Sequence, residues 1–337
     1  MMYIKTITFF FSYIFSLALY SEGFTTISGE VFHTTYHITY EGERDYSDSI
    51  TVLFRQIDLS LSMFNDSSII ARMNRNDKQA RANEHVKTVL TTARKVSDNT
   101  HGAFDITVGP LVNLWGFGYK NRREVTSSDV DSVRQFVGYK DIHLSAGGRL
   151  RKRDPRTIID VSSIAKGYTC DVIGRWFNTK GINNYLIEIG GEIVVNGTNA
   201  KKRPWGIAIN TPEEDSLAMN HTCQDILKLT EGAVATSGNY RNYYYENGRR
   251  YSHTIDPRTG YPANSDILSA TVIARDCMTA DAYATAFMVL GLQQSLAVLR
   301  RTPDVMAYFI LVPDESTHKY RIEYSPSLLK LLSTEKH

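Results

Sequence analysis

The chain has 337 residues, 38 Lys+Arg against 36 Asp+Glu, and a formal net charge of +2. At about 150 residues per domain that length suits one large or two modest domains. Its 42% hydrophobic and 22% charged content excludes disorder, collagen-like repeats and a coiled coil. The near-neutral balance gives no whole-chain field for nucleic acid or an anionic membrane.

The first residues, MMYIKTITFFFSYIFSLALYSEGF, place Lys5 before an apolar run from Ile7 to Leu19. That run is short for a membrane span and suits the apolar region of an export signal. Ser21 and Gly23 permit cleavage before Phe24, which predicts a leader over 1–23 and one two-lobed catalytic domain over 24–337. A retained anchor and a buried first helix are the alternatives. No cysteine follows the run, so a lipid-modified N-terminus is excluded, and no later segment is expected to span a bilayer. An exported protein, periplasmic or on the outer face of the inner membrane, is expected. Cys170, Cys223 and Cys277 are too sparse for a disulfide framework and read as small buried hydrophobes, with a single bridge left open.

GEVFHTTYHITY, from Gly29 to Tyr40, predicts a strand or hairpin arm. Ile50, Leu53, Phe54, Ile57 and Leu61 fall at helical spacing, as do Val86, Val89, Leu90, Ala93 and Val96. SMFNDSSIIARMN between them reads as a turn and a short helix, and HGAFDITVGPLVNLWGFG as a structured loop. Thr157–Val161 is expected to be a short strand leading into a helix through Lys166 to Phe177. YLIEIGGEIVVNG reads as two strands around Gly190-Gly191, and WGIAIN as another. Further strands are expected at Ala233–Thr236, Arg250–Ile255, Ile267–Ala274 and Met306–Val312, with helices from Thr279 to Leu290 and just beyond. Strands in hairpin-like succession with inserted helices predict an α+β fold.

No P-loop, GxSxG elbow, HExxH or EF-hand loop is present. Four clusters remain. In DVSSIAKGY, Asp160 precedes a helix start whose free N–H groups and Lys166 would favour an anion, although a serine cap with a solvated lysine explains the same residues. In TADAYAT, Asp281 and Thr285 share a helix face and can converge on one hard cation; local capping is the rival. SHTIDPRTGYP contains a good turn, which does not explain His253 just before it; His253 is a candidate general base or a structural histidine. ATSGNYR can bring backbone near a ligand, with the following tyrosines straddling a strand.

In this order, HGAFDITVGPLVNLWGFG, DVSSIAKGY, YLIEIGGEI, VATSGNYRNYY, YSHTIDPRTGYP and TADAYATAFMVLG resemble the ApbE family, the FAD:protein FMN transferases. The resemblance covers roughly residues 100 to 291 and, more weakly, reaches back to Gly29. It implies a T-fold-like, two-lobed α+β domain with mixed or antiparallel sheets and flanking helices. It further implies transfer of FMN from FAD to a threonine hydroxyl of an acceptor flavoprotein, with release of AMP and the help of Mg²⁺. On this chain the metal ligands would be the Asp281 carboxylate, the Thr285 hydroxyl and the Ala284 carbonyl, with Ser163 giving a hydroxyl or a carbonyl. Asp160 and Lys166 would face the flavin or diphosphate, and Ala103, Phe104 and Asp105 the adenine side. His253 and Ile255 would border the diphosphate, with His253 and Lys166 the catalytic groups. Phe32 takes a flavin-contacting position, because Phe32-His33-Thr34 stands where many members carry Met-Gly-Thr, and Phe64 would stack on the ring. Ser162-Ser163 replaces a common Gly-Gly. Acceptors would be subunits of ion-translocating NADH:quinone or ferredoxin oxidoreductases or other exported flavoproteins. Hydrolysis of FAD to FMN and AMP is the alternative chemistry, and a non-enzymatic flavin carrier the alternative class.

Overall fold

The computed structural model describes residues 17–21, 23–117, 125–211, 223–239, 243–246, 249–252, 254–313 and 319–332, and for 17–21, 243–246 and 249–252 the backbone alone. Most of the expected leader, His253 and the packing of the Tyr243, Tyr244 and Tyr245 side chains lie outside the described residues.

The chain opens with β1 (Leu17–Ser21) and the hairpin of β2 (Phe24–Val31) and β3 (Thr34–Glu41). Helices α1 (Ser47–Leu61), α2 (Ile69–Asn74) and α3 (Glu84–Asn99) follow. The buried stripes of α1 and α3 are those the sequence periodicity marks, except that Leu53 is only partly buried. Next come α4 (Gly109–Leu114), α5 (Ser127–Arg134), the ribbon β4 (Ile142–Leu144) and β5 (Leu150–Lys152), and α6 (Ser162–Thr179). The second half carries β6 (Tyr185–Ile189), β7 (Glu192–Asn196), β8 (Trp205–Asn210), β9 (Cys223–Leu229), β10 (Glu231–Gly238), β11 (Tyr243–Glu246) and β12 (Arg249–Ser252). β13 (Ile267–Ala274), α7 (Cys277–Arg300), β14 (Met306–Leu311) and β15 (Arg321–Tyr324) complete it.

Nine strands form one sheet in the order β1-β2-β3-β6-β7-β10-β13-β14-β15, every neighbouring pair antiparallel. The α+β expectation holds. Ala270, Val272 and Ala274 of β13 and Ala307, Phe309 and Leu311 of β14 join Phe287 of α7 in the largest core. The alternate residues Ile273, Tyr308 and Ile310 face Trp205, Ile207, Leu227 and Leu229 of the β8–β9 ribbon. This period-2 split is why β13 is buried along its whole length: helices cover one face of the sheet and a ribbon the other.

Three local readings are corrected. Thr157–Val161 forms no strand and pairs with none among the described residues. Instead the Asn74 side-chain amide accepts from Ile159 N at 2.8 Å and donates to Ile159 O at 2.8 Å, doing the work of one strand residue. Part of the expected structured loop is the helix α4; Pro110 sits in its first turn, where a missing N–H costs nothing. Finally, α7 begins with Asp276 as its cap, not near Thr279: Asp276 Oδ1 accepts from Thr279 N at 2.8 Å. It breaks at Gly291, which takes φ 70°, and Leu292 N donates to Asp266 Oδ1 where the helix resumes. By length and apolarity α7 is long enough to cross a membrane, contrary to expectation, but most of it is buried against the sheet.

A second carboxylate holds the start of α7. Asp171 of α6 accepts from Cys277 N at 2.8 Å and Met278 N at 2.9 Å, satisfying two of the orphan amides of a helix start. Burial raises Asp171 to about 7, with Asp276 adding to the rise and the two amides and Arg175 opposing it. A carboxyl raised in the folded state contributes stability that is full below its unfolded value and is lost as pH climbs through the folded one. Between 3.8 and about 7 the wild type should therefore lose stability as pH rises. Asp171→Asn should flatten that slope, as read from urea midpoints at the two ends of the window.

Candidate active site

Two two-residue hairpin turns deliver residues to one end of the sheet. Val31 pairs with Thr34, leaving Phe32 and His33 as the β2–β3 turn at φ 50° and 61°. Ile189 pairs with Glu192, leaving Gly190 and Gly191 as the β6–β7 turn at φ 60° and 96°. Positive φ at both central residues is the geometry that matches strand twist, and glycine adopts it without steric cost. The turns are neighbours: a Cβ on Gly190 would meet Thr34 Oγ1 at 2.8 Å.

Beside them lies a cavity of about 480 Å³ walled by Phe32, His33, Met63, Phe64, Ser162 and Lys166, among others. Phe32 packs edge-on against Phe54, with centroids 5.9 Å apart. Phe64 is 65% exposed yet firmly placed. Ser62 Oγ accepts from the amides of Phe64 and Asn65, and Asn65 Nδ2 donates to Asp58 Oδ2 at 2.6 Å. Thus Phe32, Phe64 and Lys166, expected to meet a flavin, do share one cavity.

Lys166 connects that cavity to buried acid. Its Nζ lies 2.5 Å from Glu192 Oε1. Burial alone would lower the Lys166 ammonium, but the Asp281 and Glu192 carboxylates outweigh it and hold the group above the ordinary lysine range. Burial raises both carboxylates; Asp281 raises Glu192 further, and Lys166 opposes the rise in each. The solvated-lysine reading is therefore overturned.

Asp281 is 3% exposed and accepts from Gly167 N at 3.2 Å. It serves α6 rather than capping its own helix. The amide of Gly167 would find its regular helical acceptor in Ser163 O, and Ser163 itself departs from helical geometry at φ −88°, ψ 15°. Thr285, one turn on from Asp281, lies 3.5 Å from Ser237 Oγ of β10. Ala284 between them is fully buried. Two residues past Ser237, Asn239 accepts from Thr254 Oγ1 at 2.6 Å, so the segment next to His253 is tied to the same place.

The other expected residues are spread more widely. Asp160 Oδ1 accepts from Ser162 N at 2.9 Å and closes the start of α6, which has no serine cap. Ala103 and Phe104 are buried in the core. Asp105 is turned inward, accepting from Thr107 N, Thr107 Oγ1 and Tyr139 N. It borders a separate charged cleft of about 580 Å³ with Arg134 and Arg258. Ile255 is buried against Trp115, Leu111 and Val130. A further cavity of about 320 Å³, between α3 and the β4–β5 ribbon, holds none of the expected site residues.

Glu192 and Ser237 were missed from the sequence. Ser237 stood in a motif read only for its backbone. Glu192 follows a Gly-Gly turn inside a strand pattern, where an outward acid is the ordinary reading; only the inward-facing register reveals it. Its Oε2 is buried and makes no hydrogen bond. Two buried carboxylates face one ammonium here, and an uncompensated buried charge costs several kcal/mol. Among the described residues no three His, Cys, Asp or Glu side chains gather as a metal cluster. Hydroxyl and carbonyl oxygens beside an unbalanced carboxylate nevertheless fit a hard divalent cation.

The aromatic-walled cavity and this charged junction meet at Lys166, which walls the one and pairs with Glu192 in the other. The ApbE family model matches residues 32–310. The FAD:protein FMN transferase of Vibrio cholerae serotype O1 is 38% identical over 307 residues, 87% of this chain and 89% of its own length. That of Haemophilus influenzae is 33% identical over 304 residues, 86% of this chain and 87% of its own. The solved flavin transferase ApbE from Vibrio cholerae matches with a TM-score of 0.81 at 34% identity, covering 94% of this chain and 100% of that one. The apo flavinyl transferase ApbE of Pseudomonas stutzeri matches with a TM-score of 0.81 at 29% identity, over 94% and 97% of the two chains. This chain belongs to the ApbE family.

The contact between α6 and α7 depends on Gly167, where a Cβ would lie 2.4 Å from the Cys277 carbonyl oxygen. Gly167→Ala should push the helices apart and lower stability by about 1–3 kcal/mol, the usual range for overpacking. Urea unfolding checks it: an unchanged midpoint would show that the helices are free to separate.

Proposed function

We propose that this protein is an Mg²⁺-dependent FAD:protein FMN transferase, which moves the FMN half of FAD onto a threonine hydroxyl of an acceptor flavoprotein and releases AMP. The observation that carries the reading is the continuity of the aromatic cavity, through Lys166, with the buried Asp281–Glu192 pair.

Phosphoryl transfer depends mainly on positioning and charge neutralisation. Asp281, Thr285, the Ala284 carbonyl and Ser163 would hold the metal, and the irregular backbone at Ser163 favours its carbonyl over its hydroxyl. Bound there, Mg²⁺ would offset charge on the diphosphate. Lys166, fixed by Glu192, would present its ammonium to the phosphate oxygens at the end of the cavity. Phe32 and Phe64 would orient the ring system, and Asp160, Ala103, Phe104, Asp105 and Ile255 would border the rest of the nucleotide. With Phe104 and Asp105 engaged inside the protein, contact there would come from the backbone. His253 would take or align the proton of the acceptor threonine, a role worth about 10²–10⁴-fold.

The apolar run before Phe24 supports export, with acceptors such as exported subunits of ion-translocating NADH:quinone or ferredoxin oxidoreductases. Part of that run, Leu17–Ser21, pairs with β2 at the sheet edge.

The test is intact mass of a threonine-bearing acceptor domain after incubation with the protein, FAD and Mg²⁺. A gain of one FMN group, abolished by EDTA and by Asp281→Ala, is the expected result; AMP accumulating with unmodified acceptor would instead mean hydrolysis. His253→Ala should lower the transfer rate at least about 10²-fold at saturating FAD, and full activity would remove His253 from the mechanism.

A further inference from the structure

We propose that His33 is a ring-recognition residue of this site, forming with Phe64 a two-jawed cap over the aromatic cavity. The inference rests on the flavin reading above and concerns the end of the ligand away from the metal.

The first observation is the backbone. Phe32 and His33 both take positive φ in a turn that the neighbouring Gly190-Gly191 makes with no side chains at all. The two-residue turn requires left-handed geometry at both positions, which is uncommon outside glycine, although histidine adopts it more readily than phenylalanine. Packing accounts for Phe32, whose ring meets Phe54. The His33 side chain is exposed and, among the described residues, makes no hydrogen bond; its ring meets Phe64 instead.

The second observation is where the imidazole goes. It stands edge-on to Phe64, with ring centroids 5.4 Å apart and an interplanar angle of 66°. The two rings come from different elements, a hairpin tip and the turn after α1, and both wall the cavity that contains Lys166. The hydrogen bonds of Ser62 and Asp58 fix the Phe64 jaw. At 5.4 Å the pair leaves no space for a third ring between them, since each stacked layer needs about 3.5 Å. A planar guest would therefore lie beneath the pair, in the cavity itself, with the imidazole at its rim.

The test separates the ring from the strain. His33→Gly removes both; His33→Asn removes the ring but keeps a residue that tolerates the left-handed backbone. Binding would be measured by flavin fluorescence with FAD and riboflavin, and by calorimetry with ADP as a probe that lacks the isoalloxazine ring. Both variants should bind FAD and riboflavin roughly three- to tenfold more weakly, the scale of one aromatic contact, while ADP affinity stays at the wild-type value. His33→Gly should also melt at a higher temperature than wild type, so stability and affinity move in opposite directions. Unchanged flavin affinity in both variants, or an equal loss for ADP, would overturn the inference while leaving the transferase reading standing. Wild-type protein that binds neither FAD nor riboflavin would overturn both.

Discussion

Two buried carboxylates and a half-buried ammonium at the junction of two helices set the terms for the rest of the site. Lys166, Glu192 and Asp281 arrive from a helix, a hairpin and a second helix, and none of them is stable in a dry interior alone. Their meeting requires α6 and α7 to approach until only glycine fits between Gly167 and the Cys277 carbonyl. Asp171, one turn further along α6, bonds the first amides of α7 and fixes the register of that approach. The arrangement sets two carboxylates, each raised by burial, against a single ammonium.

The sheet contributes by presenting two like-handed turns side by side. One is made of glycines and passes directly into Glu192; the other is made of two aromatic rings and forms a cavity wall. The same backbone geometry thus leads into an acid at one turn and presents ring surface at the other. Behind both turns, β13 is covered on both faces, which gives the tips a rigid base.

Much of this was legible in the chain. The helical stripes of α1 and α3 and the strands of YLIEIGGEIVVNG follow from simple periodicity. Phe32, Phe64 and Lys166 were singled out and share a cavity. What escaped depended on partners distant in sequence. The segment around Ile159 has the composition of a strand, but Ile159 bonds an asparagine side chain and Asp160 N a loop carbonyl, which no pattern of apolar residues reveals. α4 was hidden because proline was read as a breaker when it occupied the first turn. Glu192 looked like any polar residue of an edge hairpin until Lys166 was seen beside it. Phe104 and Asp105 carry a motif whose side chains serve the fold, so the motif alone does not tell whether its backbone or its side chains meet a ligand.

The sequence distances within the charged junction bear on how the molecule comes into being. Lys166 finds Glu192 across 26 residues, but Gly167 finds Asp281 only across 114. Closing the shorter loop costs less chain entropy, and contacts between remote segments form more slowly. A chain with its hairpins made and α7 still undocked would bring Lys166 to Glu192 but not Asp281 to Gly167. The charged junction is therefore complete only once one helix has settled against the other.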